Sequence, residues 1–345
     1  MSTPRIPGRT RASRLFAWLL ALLLFGSLLL LLERLNPRRV LDLILSSNRG
    51  LLALAVLVNL TLNTYARARR RRVLLEAVAP QVGMSLGALT RLLLASYAAN
   101  NLLPARAGDV LFAVNLRRQG YRVASVVAAQ LGEKFVELTS LWLLIFPTLF
   151  LTKMTPGLNR ALLLFLAIGG VLGILLIAFA RLGGPSLPRS LRVESAPRGT
   201  WLRLLHHGER ALWVALASIR RIATAPVALR AVLWSCAQDA SDILMVGLVA
   251  LSVGVHVGPG GWLLVYLAVN LASVLPSTPG QIGLLEAGAV FALVGLGVGP
   301  NHSMAFALLY HLAHLLPITL LGLPILWRLR HERKPSEGAR LSPSP

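Results

Sequence analysis

Six stretches of this chain are apolar over about the length that carries a helix across a lipid bilayer, and that property rules out most folds. They are 15–32, 50–66, 123–151, 160–180, 228–253 and 303–328. A hydrocarbon core about 30 Å thick needs roughly 20 apolar residues in helical form. Only helices and closed barrels satisfy every backbone N–H and C=O group there. Of the 345 residues, 55% are hydrophobic and 14% are charged. A soluble domain would carry about a quarter charged residues. The expectation is an all-α integral membrane protein. The first stretch follows Arg5, Arg9, Arg11 and Arg14, as a signal peptide would. Its length, and the lack of a small-residue cleavage site, read instead as a retained first span.

The formal charge of +22 would by itself suit nucleic acid. Arginines that punctuate apolar segments follow the membrane-topology pattern instead, so no nucleic-acid partner is expected. With the N-terminus cytoplasmic, Arg5 to Arg14, the run RARRRR at 67–72, Arg91 to Arg122, the loop 181–227 and the tail all fall inside. Outside lie Arg34, Arg38, Arg39, Arg49, Lys153 and Arg160, while Lys134 sits within a span. That bias predicts both termini in the cytoplasm of a multi-pass cell-membrane (inner or plasma membrane) protein. The expected layout is a basic segment 1–14, a transmembrane domain 15–330 with halves at about 15–180 and 228–330, and a disordered Pro/Ser-rich tail 331–345. Cys236, the single cysteine, excludes an intramolecular disulfide and reads as a small buried hydrophobe.

Two further regions, about 85–118 and 262–297, hold shorter apolar pieces around NLLPARAGDVL and LASVLPSTPGQIGLLEAG. Each contains Leu-Pro, three residues and Gly. The prolines lie half a chain apart with three full spans between them, so the two regions would enter from opposite faces. This predicts an inverted internal repeat of six transmembrane helices plus two re-entrant hairpins, or else eight or more spans. The helix breaks fall at Pro104, Gly108, Pro276, Pro279, Gly280 and Gly283. A break frees backbone groups, and the half-helix N-terminus it creates favours anions.

Polar side chains inside the apolar spans mark the candidate site. Gln130, Glu133, Lys134 and Glu137 lie within 123–151 at helical spacing. Each ionised group at a helix centre costs about 2.5–3.5 kcal/mol on insertion scales. Lys134 and Glu137 can pair across a turn, and the second carboxylate goes beyond charge balance, which favours function. Ser235, Gln238, Asp239 and Asp242 form a similar stripe in 228–253. Two carboxylates a turn apart repel, so one is protonated or both meet a cation. That stripe is expected to line a wet cavity or to cap Arg230; neither a metal nor another cofactor is expected. Asn100, Asn101 and Asn270 flank the breaks as caps or substrate contacts. Arg106 either holds a phosphate bidentately or snorkels to the interface. Glu286 has no neighbouring cation, and His311 or His314 in the last span could supply a partner. Hydrogen bonds between helices are the preferred reading of these histidines, ahead of a zinc pair or a proton switch.

In this order, NNLLPARAGD, LGEKFVEL, LPSTPGQIGLLE and ALLYHL resemble the lysylphosphatidylglycerol synthase transmembrane-region family, flippase-like proteins that include the membrane half of the multiple peptide resistance factor. The most specific element resembles the family's Leu-Pro-x-x-Pro-Gly-Gly-x-Gly-x-x-Glu. Pro276, Pro279, Gly280, Gly283 and Glu286 match it, as do Pro104 and Gly108 in the first break. Asp109, Lys134 and Glu137 stand where the family usually has Glu, Arg and Asp. Gln281 replaces the second Gly of the pair, while Phe112, and His311 after Tyr310, stand where Arg is common. The resemblance implies movement of a polar or anionic lipid between leaflets. Its head group would pass through one hydrated midplane groove lined by Glu133, Lys134, Glu137, Asp239, Asp242 and Glu286. Asn100, Asn101, Arg106, Asp109, Gln130, Asn270, Tyr310 and His311 complete the expected contacts. With no G-x-x-x-x-G-K-[ST] motif, transport would be passive or ion-coupled. Two alternatives stand beside this. One is a membrane transferase using a polyprenyl-phosphate or phospholipid donor, with a carboxylate as general base. The other is a non-catalytic partner of a lipid-modifying enzyme, docking through 181–227. The sequence carries no signal for an oligomeric state.

Overall fold

The computed structural model describes residues 35–103, 107–152, 221–222, 224–273 and 279–331, with 159–160, 162–164, 166–167 and 169–171. The first expected span, most of the loop 181–227, the tail beyond 331, and Pro104, Arg106 and Pro276 lie outside these residues.

Every regular element among the described residues is helical. Helix α1 (Pro37–Leu45) begins where the Asn36 side chain accepts from the Arg39 N–H. Helix α2 (Arg49–Val58) begins where Asn48 accepts from Leu51 in the same way. Each cap satisfies one of the orphan donors of a first turn. Helix α2 runs through a π-turn, Asn59–Asn63, directly into α3 (Thr64–Val78). Next come α4 (Leu86–Leu102), α5 (Ala107–Arg118), α6 (Val123–Leu151) and α7 (Ala225–Ser252). The chain then forms α8 (Gly258–Ala272), a 3₁₀ turn at Pro279–Gln281, α9 (Leu284–Gly295) and α10 (Pro300–His331). Four helical stretches, Arg49–Val78, Val123–Leu151, Ala225–Ser252 and Pro300–Leu329, are long and apolar enough to cross a membrane.

The second apolar stretch was expected to end at 66, with RARRRR in a cytoplasmic loop. The helix instead continues to Val78. Nothing in the sequence stops it: from Leu51 to Ala79 there is no Gly or Pro, and Arg is a good helix former. The π-turn meets α10 beside a proline. Pro317 lies inside α10 and has no N–H for the carbonyl four residues earlier, that of Ala313. Asn59, fully buried in the π-turn, donates its Nδ2–H groups to the carbonyls of Ala313 (3.2 Å) and His314 (3.0 Å).

Beside a small core of Ala95 and Ala99 of α4 against Leu326 of α10, two large hydrophobic cores result among the described residues. One joins α2, α6, α7, α8, α9 and α10, around Ile145, Met245, Leu264, Leu293 and Phe306. The other joins α3, α4, α5, α6 and the start of α7, around Leu74, Leu89, Leu93, Phe112 and Leu116. Helix α6 serves both. Its outer face exposes Val127, Leu131, Phe135, Leu138, Phe146 and Phe150 at helical spacing, an apolar stripe suited to lipid.

Candidate functional site: a buried charge network between the helices

Helical spacing divides the basic run of α3 into two faces. Arg67, Arg70 and Arg71 point inward; Arg70 is 1% exposed. Its guanidinium donates through Nη1 to the Ser235 hydroxyl (2.9 Å) and through Nη2 to Glu133 (2.7 Å) and Glu137 (2.6 Å). Arg71 pairs with the second oxygen of Glu133 and lies 4.7 Å above the Phe112 ring. Arg67 faces Asp242 at 3.6 Å and the Tyr97 ring at 5.4 Å. Lys134 donates to the free oxygen of Glu137 at 2.6 Å from a more exposed position. Asp239 accepts from the Tyr266 hydroxyl (2.7 Å), and Ser140 bonds Ser235 (3.0 Å).

A lone charge in such a place costs several kcal/mol, and only close, hydrogen-bonded partners offset it. Glu133 has two guanidiniums, one on each oxygen, and Glu137 has an arginine and a lysine. The network is nevertheless not closed. Among the described residues, Nε of Arg67, Arg70 and Arg71, Oε1 of Gln238, Oδ1 of Asp242 and Nδ1 of His314 are buried without a hydrogen-bond partner. Each such group costs about 1–3 kcal/mol if left unsatisfied.

A second polar group sits where the chain turns into α9. The backbone is left-handed at Gly280 (φ 68°), Gln281 (φ 60°) and Gly283 (φ 92°), a conformation glycine adopts without steric cost. Glu286 reaches back to accept from the Gly283 N–H (2.8 Å). Its other oxygen meets His311 Nδ1 at 2.5 Å, and His311 Nε2 meets the Gly280 carbonyl at 2.8 Å. The carbonyl can only accept, so Nε2 carries hydrogen. One further proton then lies between Nδ1 and the carboxylate.

The first break is tied differently. Asn100 accepts from the Gly108 N–H (2.8 Å) and donates to Asp109 (3.1 Å), while the Ser96 hydroxyl donates to the Gly108 carbonyl (2.7 Å). A Cβ on Gly108 would stand 1.9 Å from the Ser96 carbonyl oxygen, so only glycine lets α5 approach α4 this closely. Gln130 donates to the Asp109 carbonyl (3.2 Å), bringing α6 to the same place.

The structure thus brings Glu133, Lys134, Glu137, Asp239 and Asp242 together, and places Glu286 in a separate group with His311. Tyr310, next to His311 in α10, stacks on His314 with ring centroids 6.0 Å apart. Glu133, Glu137 and Asp242 pair with arginines of α3, whereas Glu286 pairs with His311. Two sequence readings are corrected. Asp239 and Asp242 do not cap Arg230, which is exposed and donates to the Pro226 carbonyl of its own helix (3.0 Å). Asn101 and Asn270 hold helices rather than the break: Asn101 donates to Thr319 of α10 (2.8 Å), and Asn270 to the Tyr266 carbonyl one turn earlier (2.9 Å). The sequence reading missed Arg67, Arg70, Arg71, Tyr97 and Tyr266. For the arginines, the uninterrupted helical register beyond 66 was the available signal. No group of three metal-ligating side chains occurs among the described residues.

Long apolar helices that enclose charged side chains paired across helices define a polytopic α-helical membrane protein with a polar interior. The profile of the lysylphosphatidylglycerol synthase transmembrane region matches residues 18–322. The chain belongs to that family, which associates it with membrane lipid. No curated protein matches it significantly.

Proposed function

We propose that this domain moves a polar or anionic phospholipid or glycolipid between leaflets, its head group passing through the charged interior while the tails stay in the bilayer. The carrying observation is the inward face of α3: three guanidiniums, each with a buried Nε–H that finds no acceptor among the described residues. A guanidinium offers parallel N–H groups to a carboxylate and to a phosphate alike. An entering phosphate can therefore satisfy the unused donors, or replace Asp242 on Arg67 as the released carboxylate takes up a proton. Arg67 is the natural first contact, since its 3.6 Å pair is the loosest and its side chain is 18% exposed. The two breaks act as opposed gates in an inverted repeat of six spans and two hairpins, with both termini cytoplasmic in the cell membrane. The proton shared by Glu286 and His311 offers a means of coupling to an ion gradient.

The test is a proteoliposome assay in which a fluorescent phospholipid becomes accessible to an impermeant quencher without chemical change. Arg67→Gln should slow exposure about tenfold or more, equivalent to about 1.4 kcal/mol. Unchanged rates in both Arg67→Gln and Glu286→Gln would reject the assignment, and chemical conversion of the lipid would favour a transferase.

A further inference from the structure

The opposite face of α3 carries a second arginine group that takes no part in the buried network. Tyr65, Arg69, Arg72 and Glu76 follow one another at intervals of four, three and four, so they share one helical face. With Arg230 and Trp234 of α7, which are one turn apart, this face forms a groove of about 190 Å³ lined by Arg69, Arg72, Val73, Glu76, Arg230 and Trp234. Three guanidiniums stand there against one carboxylate, and that carboxylate is engaged by Arg72 Nε at 2.6 Å. Among the described residues, Arg69 has neither a hydrogen bond nor an ion pair. It lies 5.1 Å from the Trp234 ring and 6.0 Å from that of Tyr65. Among the described residues, Arg230 uses only Nε, on the Pro226 carbonyl. Two guanidiniums therefore keep their paired Nη donors available, the geometry that takes an anionic oxygen pair.

The surroundings identify the anion's carrier. Tyr65 (47% exposed) and Leu62 (56%, in the π-turn) lie one and two turns before Arg69, and Leu229 (62%) and Leu233 (58%) immediately precede Arg230 and Trp234 in α7. A free phosphate would gain nothing from this apolar flank, whereas acyl chains would lie along it. The groove lies toward the C-terminal end of α3 and the N-terminal end of α7, both in helices long enough to cross the membrane. Arg beside Trp and Tyr at such a level is the composition that meets lipid head groups. We infer that the groove binds the phosphate of an anionic phospholipid through Arg69 and Arg230, with its acyl chains along Leu62, Tyr65, Leu229 and Leu233. The site is separate from the translocation path and does not depend on it.

Native mass spectrometry of the full-length, detergent-purified protein titrated with phosphatidylglycerol tests this directly. The wild type should hold at least one phosphatidylglycerol more tightly than the Arg69→Gln/Arg230→Gln double variant, with affinity falling about tenfold or more on substitution. Both arginines line an open groove, so thermal unfolding should be unchanged and the comparison remains between folded proteins. Equal binding by the two proteins would overturn the site. Glycerol 3-phosphate, added as competitor, should displace the lipid only at far higher concentration. Displacement at matching concentration would overturn the lipid assignment in favour of a soluble phosphate. Leu229→Ser/Leu233→Ser should weaken phosphatidylglycerol while leaving glycerol 3-phosphate unaffected; undiminished lipid binding there would remove the acyl-chain part of the proposal.

Discussion

Glu133 and Glu286 are both buried carboxylates in helices of the membrane domain, but their partners differ in kind. Glu133 lies between two guanidiniums from a neighbouring helix. Guanidinium is a permanent cation, so the environment of Glu133 has a fixed charge. Glu286 meets one imidazole and one backbone N–H. Imidazole can carry one proton or two, so this pair can change its charge by losing the proton between Nδ1 and the carboxylate, which opens that contact. The comparison separates two tasks: a fixed electrostatic frame built on α3, α6 and α7, and an exchangeable element where the chain breaks before α9.

The largest expected effect tests the frame. Glu133→Ala leaves Arg70 and Arg71 without their shared carboxylate in a buried site, and breaking such a pair costs about 3–5 kcal/mol. Thermal unfolding in detergent should fall markedly. Retained stability would mean that water reaches the arginines freely, and the frame would lose its fixed character. A partner test sharpens this: Arg71→Gln in the Glu133→Ala background should recover part of the loss, because it removes one of the stranded charges.

His311→Ala should cost less, about 1.5–3 kcal/mol, because it removes one hydrogen bond to a charged group and one to a carbonyl from a site less deeply buried than that of Glu133. Its functional effect should be the larger one. Transport in proteoliposomes should lose its dependence on a pH difference across the membrane, while Arg67 and Glu133 remain in place. If His311→Ala instead destabilises the protein as much as Glu133→Ala, the division into frame and exchangeable element fails.

How far the sequence disclosed these two regions follows from the range of the interactions. The breaks were legible because Pro and Gly act locally: α4 and α5 flank one, α8 and α9 the other. The pairing of Lys134 with Glu137 was legible because it lies within one helical turn. His311 could be named as a partner for Glu286 because few cations lie in the apolar spans. Arg70 was not legible as the partner of Glu133. The two residues are 63 positions apart, and a run of arginines after an apolar stretch reads as a loop by the topology rule. That rule reports where charge lies relative to the bilayer, not whether a neighbouring helix covers it.

The smallest expected effect concerns the turn before Glu286, where Gln281 stands in a conformation that favours glycine (φ 60°). A residue with a Cβ pays about 1 kcal/mol there relative to glycine. The side chain also gives something back, since the Ser273 hydroxyl donates to Gln281 Oε1 at 2.8 Å. Gln281→Gly should therefore change stability by no more than about 1 kcal/mol, with backbone relief set against one lost hydrogen bond. Gln281→Ala loses the bond and keeps the strained backbone, so it should be the less stable of the two variants. The order of their unfolding temperatures isolates the backbone contribution. Were the alanine variant equal to the glycine one, the left-handed turn would be dispensable, and the position of Glu286 would depend on His311 alone.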